Sequence, residues 1–186
     1  MDCTPTAGTE SRTRRNRPYR NILMLSEWLV EVPDRLKEDW LMIVCPVGKR
    51  CSVVCSQGQS RAYARNGFEF LTKFQSLLPG GNVRARASCN QNSILDCIYS
   101  HSDRTFYILD IILWNGVSFY GCETDFRFFW LDSHSEELTP AAQTNSSNKF
   151  AFKPLPRFPC GTQSISQTLA SVTFDSGVRF SCSPVL

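Results

Sequence analysis

Apolar and polar positions divide this chain into a polar head and a series of short apolar runs. Residues 1–21 are rich in Thr, Ser, Arg, Asn and Pro and almost free of large apolar side chains, which predicts a disordered tail. Globular patterning begins at Leu23. Trp40-Leu-Met-Ile-Val-Cys45 is a continuous apolar run and predicts a buried strand. Pro46 to Arg50 predicts a turn and Cys51 to Ser56 a second strand, so this segment reads as a β-hairpin. Gln57 to Gly67 is polar and reads as a loop, and Ser76-Leu-Leu-Pro-Gly-Gly-Asn82 as a turn. Ser93 to Tyr99 and Thr105 to Trp114 are β-rich runs joined by a short polar turn. Asn115-Gly116, between Trp114 and Val117, is a strong hairpin signal and adds a third antiparallel strand.

Beyond that point the pattern weakens. Thr124 is placed to cap a short helix from Asp125 to about Leu131, with Phe126, Phe129 and Trp130 as its core face. Ser133 to Asn148 reads as a loop or insertion, Phe150 to Pro159 as Pro-rich extended chain, and Ser164 to Ala170 as one or two helical turns. Val172 to Phe180 reads as a hairpin around Asp175-Ser176-Gly177. These elements predict an α+β fold of largely antiparallel sheets with a few short helices. It forms one domain over residues 22–186 behind the tail of residues 1–21.

Composition supports a packed core, with 42% hydrophobic and 12% aromatic residues among 186. No apolar run approaches the ~20 residues a membrane helix needs, and no apolar stretch follows the N-terminal charges to form a secretory signal. Nine Cys is a high and odd count in a chain without such a signal, which predicts reduced, mostly buried thiols in a cytosolic or nuclear protein. Cys45, Cys51 and Cys55 cluster, but no Cys-x-x-Cys pair or nearby fourth ligand accompanies them, so no metal and no cofactor is expected.

The net charge of +3 is unevenly spread. Five Arg against Asp2 and Glu10 give residues 1–22 a charge of +3. Residues 46–86 hold Lys49, Arg50, Arg61, Arg65, Lys73, Arg84 and Arg86 against Glu69 alone, a charge of +6. Each flank, 23–45 and 87–186, has a charge of −3. Basic side chains on glycine-flanked turns suit a phosphate chain, because Arg offers a bidentate fork and Lys a compact charge. Lys and Arg on a solvated strand edge, guarding against aggregation, fit the same composition equally well.

Five blocks carry a resemblance. They are Leu23-Met-Leu-Ser-Glu-Trp-Leu29, Val44-Cys-Pro-Val-Gly-Lys-Arg50, Ser76-Leu-Leu-Pro-Gly-Gly-Asn82, Ile94-Leu-Asp-Cys-Ile-Tyr99 and Thr124-Asp-Phe-Arg-Phe128. In order and spacing the sequence resembles the snurportin family, nuclear import adaptors for spliceosomal small nuclear ribonucleoproteins. The resemblance implies a domain that binds the trimethylguanosine cap of small nuclear RNA and shuttles between nucleus and cytoplasm. It also implies a fold similar to the nucleotidyltransferase domain of RNA capping enzymes and ligases. Importin β and the nuclear export receptor are partners implied by the family alone. The implied site comprises Ser26 against the cap, Trp28 beside the nucleotides, and Lys49, Arg50 and Cys51 along the phosphates. Arg65 stands where the family usually has Lys, keeping the charge but changing its donor geometry. A methylated, positively charged guanine is held by aromatic stacking worth roughly 1–3 kcal/mol per base.

The capping enzymes carry Lys-x-Asp-Gly-x-Arg, whose Lys attacks the α-phosphate. This chain has Cys45-Pro-Val-Gly-Lys-Arg50 in its place, with Cys45 at the nucleophile and Val47 at the Asp. Apolar neighbours are expected to raise the pKa of Cys45, and Lys49 is two positions away, so binding without group transfer is expected. Residues 1–21 hold no amphipathic helix to engage importin β, and that coupling is not expected here. The family's stacking Trp lies C-terminal to the region matching Val172 to Phe180, and no Trp follows Trp130, so cap affinity is expected to fall by about one to two orders of magnitude. A non-binding isoform or fragment, and an active RNA guanylyltransferase relative, are the alternative readings.

Overall fold

The continuous apolar run at 40–45 explains the architecture. A strand buried on both faces needs partners above and below it. In the computed structural model, which describes residues 17–24, 31–83, 91–171 and 177–184, that run is β1 (Trp40–Pro46), preceded by one helical turn, α1 (Leu36–Asp39). Met42 and Val44 face a small cluster with Cys160, Trp40, Phe158 and Ile165, while Ile43 and Cys45 face Ile98, Leu109, Phe128 and Leu155.

β1 does not form a hairpin with β2 (Lys49–Ser56), contrary to the sequence expectation. It is the central strand of a three-stranded sheet, antiparallel to β9 (Arg157–Pro159) and to β10 (Val178–Pro184). β2 belongs instead to a seven-stranded sheet, in the order β4-β3-β2-β5-β6-β7, with β8 (Ala151–Pro154) parallel to β6. Val47 and Gly48 carry the chain from one sheet to the other. Pro46 offers no N–H to a ladder at this point. Gly48 is required by contact: a Cβ there would lie 2.5 Å from the Tyr99 carbonyl oxygen.

The larger sheet is antiparallel except for β8. β3 (Gln59–Ala64) and β4 (Glu69–Phe74) precede β5 (Ser93–Ser100), β6 (Thr105–Trp114) and the short β7 (Val117–Ser118). The expected β5, β6 and β7 meander is present. Asn115 and Gly116 both take positive φ, +50° and +83°, as a primed hairpin turn demands. β3 replaces the loop expected over 57–67. Its polar letters hid an alternation, with Ser60 and Ala62 buried and Gln59 and Arg61 part-exposed between them.

Alternation along β2 sorts its side chains between two faces. Cys51, Val53 and Cys55 join the main core with Leu95, Cys97, Phe106, Ile108 and Phe152. Stacked rings fill that core, with Phe106 parallel to both Phe74 and Phe152.

Helix α2 runs Thr124–Ser133; of the face expected in the core, Trp130 packs there against Trp114 and Phe119, but Phe126 and Phe129 turn outward. Phe126 and Phe129 are 51% and 70% exposed, while Arg127, Phe128 and Leu131 are buried. The buried Asp110 is the physical reason. Arg127 binds it through Nε and Nη2, each at 3.0 Å, and this rotates the helix. Thr124 does not cap; Glu123 holds that position, and the Thr124 hydroxyl accepts a bond from Arg127 Nη2 at 3.2 Å. The segment expected to loop contains a helical turn, α3 (Ser135–Leu138), followed by a 3-10 turn at Thr139–Ala142. Helix α4 spans Thr162–Ser171, somewhat longer than expected. The first arm of the hairpin expected at 172–180 lies largely outside the described residues; its second arm is β10, which pairs with β1. No described helix is long and apolar enough to cross a membrane.

Candidate functional site

The residues implied as a site fall around the start of β2, and strand geometry separates them. Successive side chains on a strand point to opposite faces. Lys49 therefore shares a side with Cys51, and Arg50 faces the other way with Ser52.

On the Arg50 face, Asp96 of β5 lies opposite Ser52, and Asp110 of β6 lies opposite Asp96. The two buried carboxylates are each clamped by their own arginine. Arg50 Nε donates to Asp96 Oδ1 at 3.1 Å and Nη2 to Oδ2 at 3.0 Å. The same Nη2 donates to the Met24 carbonyl, and the Met24 N–H donates to Asp96 Oδ2 at 2.9 Å. One backbone residue is thus held at both its donor and its acceptor. Arg127 holds Asp110 and also donates to the Cys122 carbonyl. Ser52 Oγ is buried without a hydrogen-bond partner among the described residues.

Burial pushes the Asp96 carboxyl up to about 6, against the opposing pull of Arg50. Burial, the largest single influence, lowers the Arg50 pKa, yet the charge and hydrogen bond of Asp96, with Cys45 and Asp110, together raise it. The two directions agree physically, because Asp96 is fully buried and the Arg50 side chain is 29% exposed, so desolvation weighs more on the acid.

On the opposite side, Lys49 is exposed and its Nζ sits 4.0 Å from the centroid of the Phe70 ring. Cys51 is fully buried in the core, and burial holds its thiol far above the usual range. Arg65 is exposed in the turn after β3, where its carbonyl accepts from the Asn21 N–H at 3.0 Å. Residues 17–21 pack on this turn, with Tyr19 4.7 Å from Tyr63 and Arg17 Nη1 3.3 Å from the Asn66 carbonyl. Ser26 and Trp28 lie outside the described residues. The Met24 clamp sits two residues before Ser26.

Cys45 fits the expectation placed on it. It is buried, with its thiol donating to the Ile43 carbonyl at 3.7 Å, and burial pushes its pKa up to about 12. Lys49, which faces Phe70, cannot stand in for it on the other side of the sheet. All six cysteines in the described residues whose side chains are placed are free thiols; Cys122 is half-buried and the others are buried.

Sequence reasoning missed Asp96, Asp110, Phe70, Tyr99 and His101 as site neighbours. A signal existed for the first two. Each is a lone acid inside an apolar strand run, and a charge buried there requires a partner. Within the +6 segment, Arg50 is tied to Asp96 and Arg61 lies 3.8 Å from Glu69, while Arg84 and Arg86 lie outside the described residues.

Fold and site together define a two-sheet α+β domain whose larger sheet bears paired buried charges on one face and an aromatic cavity beside the other. The family model described as Snurportin1, m3G cap-binding domain, matches residues 22–180, and the chain belongs to that family. Among solved structures the chain is similar to a mycobacterial DNA ligase D complexed with ATP and MES, at 16% identity and a TM-score of 0.48. It is also similar to the ligase domain from M. tuberculosis LigD, at 18% identity and a TM-score of 0.46. Each match covers 73% of this chain and 46% of that chain, so the chain spans under half the length of those structures.

Proposed function

We propose that this domain binds the trimethylguanosine cap of small nuclear RNA and performs no nucleotidyl transfer, serving as the recognition part of a nuclear import adaptor. The observation that supports this reading most directly is the grip of Arg50 and Asp96 on the Met24 backbone. That grip fixes Met24, two residues before Ser26 in sequence, to Arg50 of β2. In this reading Trp28 lies along the nucleotides and Ser26 contacts the cap. Lys49 and Arg65, both exposed, serve the phosphates. Arg50 acts chiefly by positioning, since its guanidinium is already engaged. Cys51 acts through the backbone path of β2, its side chain being in the core.

The protonated Cys45 thiol supports binding without transfer, because a thiol pushed up to about 12 supplies almost no thiolate at neutral pH. Movement between cytoplasm and nucleus, with the nuclear export receptor as the family's partner, belongs to the same proposal; coupling to importin β does not.

Calorimetry with a trimethylguanosine cap dinucleotide tests the reading. Measurable binding is expected, weakened about tenfold or more by Trp28→Ala. No binding, or equal binding by wild type and Trp28→Ala, overturns the assignment. Incubation with labelled GTP is expected to leave no covalent adduct; an adduct overturns the non-catalytic reading.

A further inference from the structure

Lys49 opens onto a second feature that the cap site does not use. A cavity of about 400 Å³ lies beside the β1–β2 crossing, lined by Val47, Gly48, Lys49, Phe70, Tyr99 and His101. Pockets of roughly 300–1,000 Å³ hold small planar ligands. Its walls are aromatic: Phe70 and Tyr99 have ring centroids 6.2 Å apart, and His101 stands edge-on to Tyr99 at 6.2 Å. Cations rim it. Lys49 covers Phe70, while Arg104 and Lys149 lie 5.5 and 5.7 Å from the ring of Phe150, which itself touches Tyr99 at 5.7 Å. Lys49, His101, Arg104 and Lys149 are all exposed. The nearby acid Asp103 accepts from the Tyr107 hydroxyl at 2.6 Å and remains a negative charge beside these cations.

Aromatic faces interleaved with free cations are the chemistry that holds single-stranded nucleic acid, bases on rings and phosphates on Lys and Arg. We propose that this cavity takes a nucleotide of the single-stranded RNA that follows the cap. The base packs against His101 and takes the place of Lys49 over Phe70, and the neighbouring phosphates meet the displaced Lys49 with Arg104 and Lys149. Lys49 is adjacent in sequence to Arg50 but on the other face of the sheet, so the strand passes around the end of β2 from one face to the other. The inference rests on the cap-binding reading for its substrate, and it adds a site that adjoins the cap's phosphate path at Lys49.

Fluorescence anisotropy with three probes tests it: the trimethylguanosine cap dinucleotide, a trimethylguanosine-capped single-stranded decanucleotide, and the same decanucleotide uncapped. The capped decanucleotide is expected to bind about tenfold more tightly than the dinucleotide. His101→Ala and Arg104→Asn, both at exposed positions, are expected to remove that advantage and leave dinucleotide binding unchanged. Asn suits position 104 because its φ is +54°. A decanucleotide no tighter than the dinucleotide, or an advantage that survives both substitutions, overturns the subsite while leaving the cap reading intact. Failure of the dinucleotide to bind, with His101-dependent binding of the uncapped decanucleotide, overturns the cap reading and upholds the subsite. Failure of all three probes overturns both.

Discussion

Arg50 and Asp96 meet as a two-pronged ion pair, at 3.1 and 3.0 Å, and between them they hold both the carbonyl and the N–H of Met24. The pair joins neighbouring strands of the larger sheet and ties the N-terminal segment to them. Removing one partner leaves the other charge buried and uncompensated, which typically costs about 3–5 kcal/mol. Arg50→Ala is expected to fall in that range, toward the lower end because the Arg50 side chain is 29% exposed. Arg50→Lys is expected to recover little, since an ammonium cannot reproduce the fork. Urea unfolding measures both; an Arg50→Lys protein as stable as wild type excludes the clamp as described.

The same pair makes a prediction about pH. Burial raises the folded pKa of Asp96 to about 6, from an ordinary value of 3.8. The folded protein therefore binds this proton more tightly than the unfolded chain. Ionising Asp96 opposes folding, so its contribution to stability is greatest below about pH 4 and declines as pH rises to about 6. Wild-type stability relative to Asp96→Asn is expected to fall across that window and level off above it. A rise across the same window would mean that pairing with Arg50 outweighs burial.

Gly48 sets how closely the two sheets approach at the crossing. A Cβ at this position would lie 2.5 Å from the Tyr99 carbonyl oxygen and 2.7 Å from the Ile98 Cγ2 atom. Gly48→Ala is expected to destabilise the fold by about 1–3 kcal/mol through overpacking. Val47→Ala, at a 37% exposed neighbour, is expected to cost far less. Thermal melts of the two variants measure the difference; equal melting temperatures would rule out a tight crossing.

Thiol reactivity separates buried from accessible cysteines. Burial pushes Cys45 and Cys55 up to about 12 and about 11, with hydrogen bonds from Ser60 and Ser76 partly offsetting the second. Native alkylation at pH 7.5, read by peptide mass spectrometry, is expected to modify Cys122 well before Cys45, Cys51, Cys55 or Cys97. Early modification of Cys45 would contradict its buried, protonated state and reopen a nucleophilic role.

Lys49 projects into solvent beside the aromatic cavity, so its charge is available to phosphate. Lys49→Ala is expected to weaken binding of a capped RNA and to lower the salt dependence of log K by about 0.7–1, the signature of one lost phosphate contact. An unchanged slope would remove Lys49 from the phosphate path.

The α+β class, the strands at 93–100 and 105–114, and the Asn115-Gly116 turn were legible because each rests on local chemistry: alternation, β-branched runs and left-handed turn residues. The five family blocks were equally legible, being a property of residue order. What the sequence could not settle was which strands pair. Strands 40–46 and 49–56 look like a hairpin by spacing, yet Pro46, Gly48 and a run needing cover on both faces send them to different sheets. Nor could it settle where charges end. The +6 of residues 46–86 is a sum along the chain, whereas electrostatic energy depends on distance in space, and Asp96 from an acidic flank neutralises Arg50 at 3.0 Å. The same holds for helix α2, whose aromatic spacing pointed Phe126 and Phe129 inward until buried Asp110 claimed Arg127. By itself the sequence determined the family, the α+β class and those elements whose local pattern is strong, but not β3 or α3. Tertiary structure decided which face each side chain occupies, because burial and pairing are set by neighbours far away in the chain.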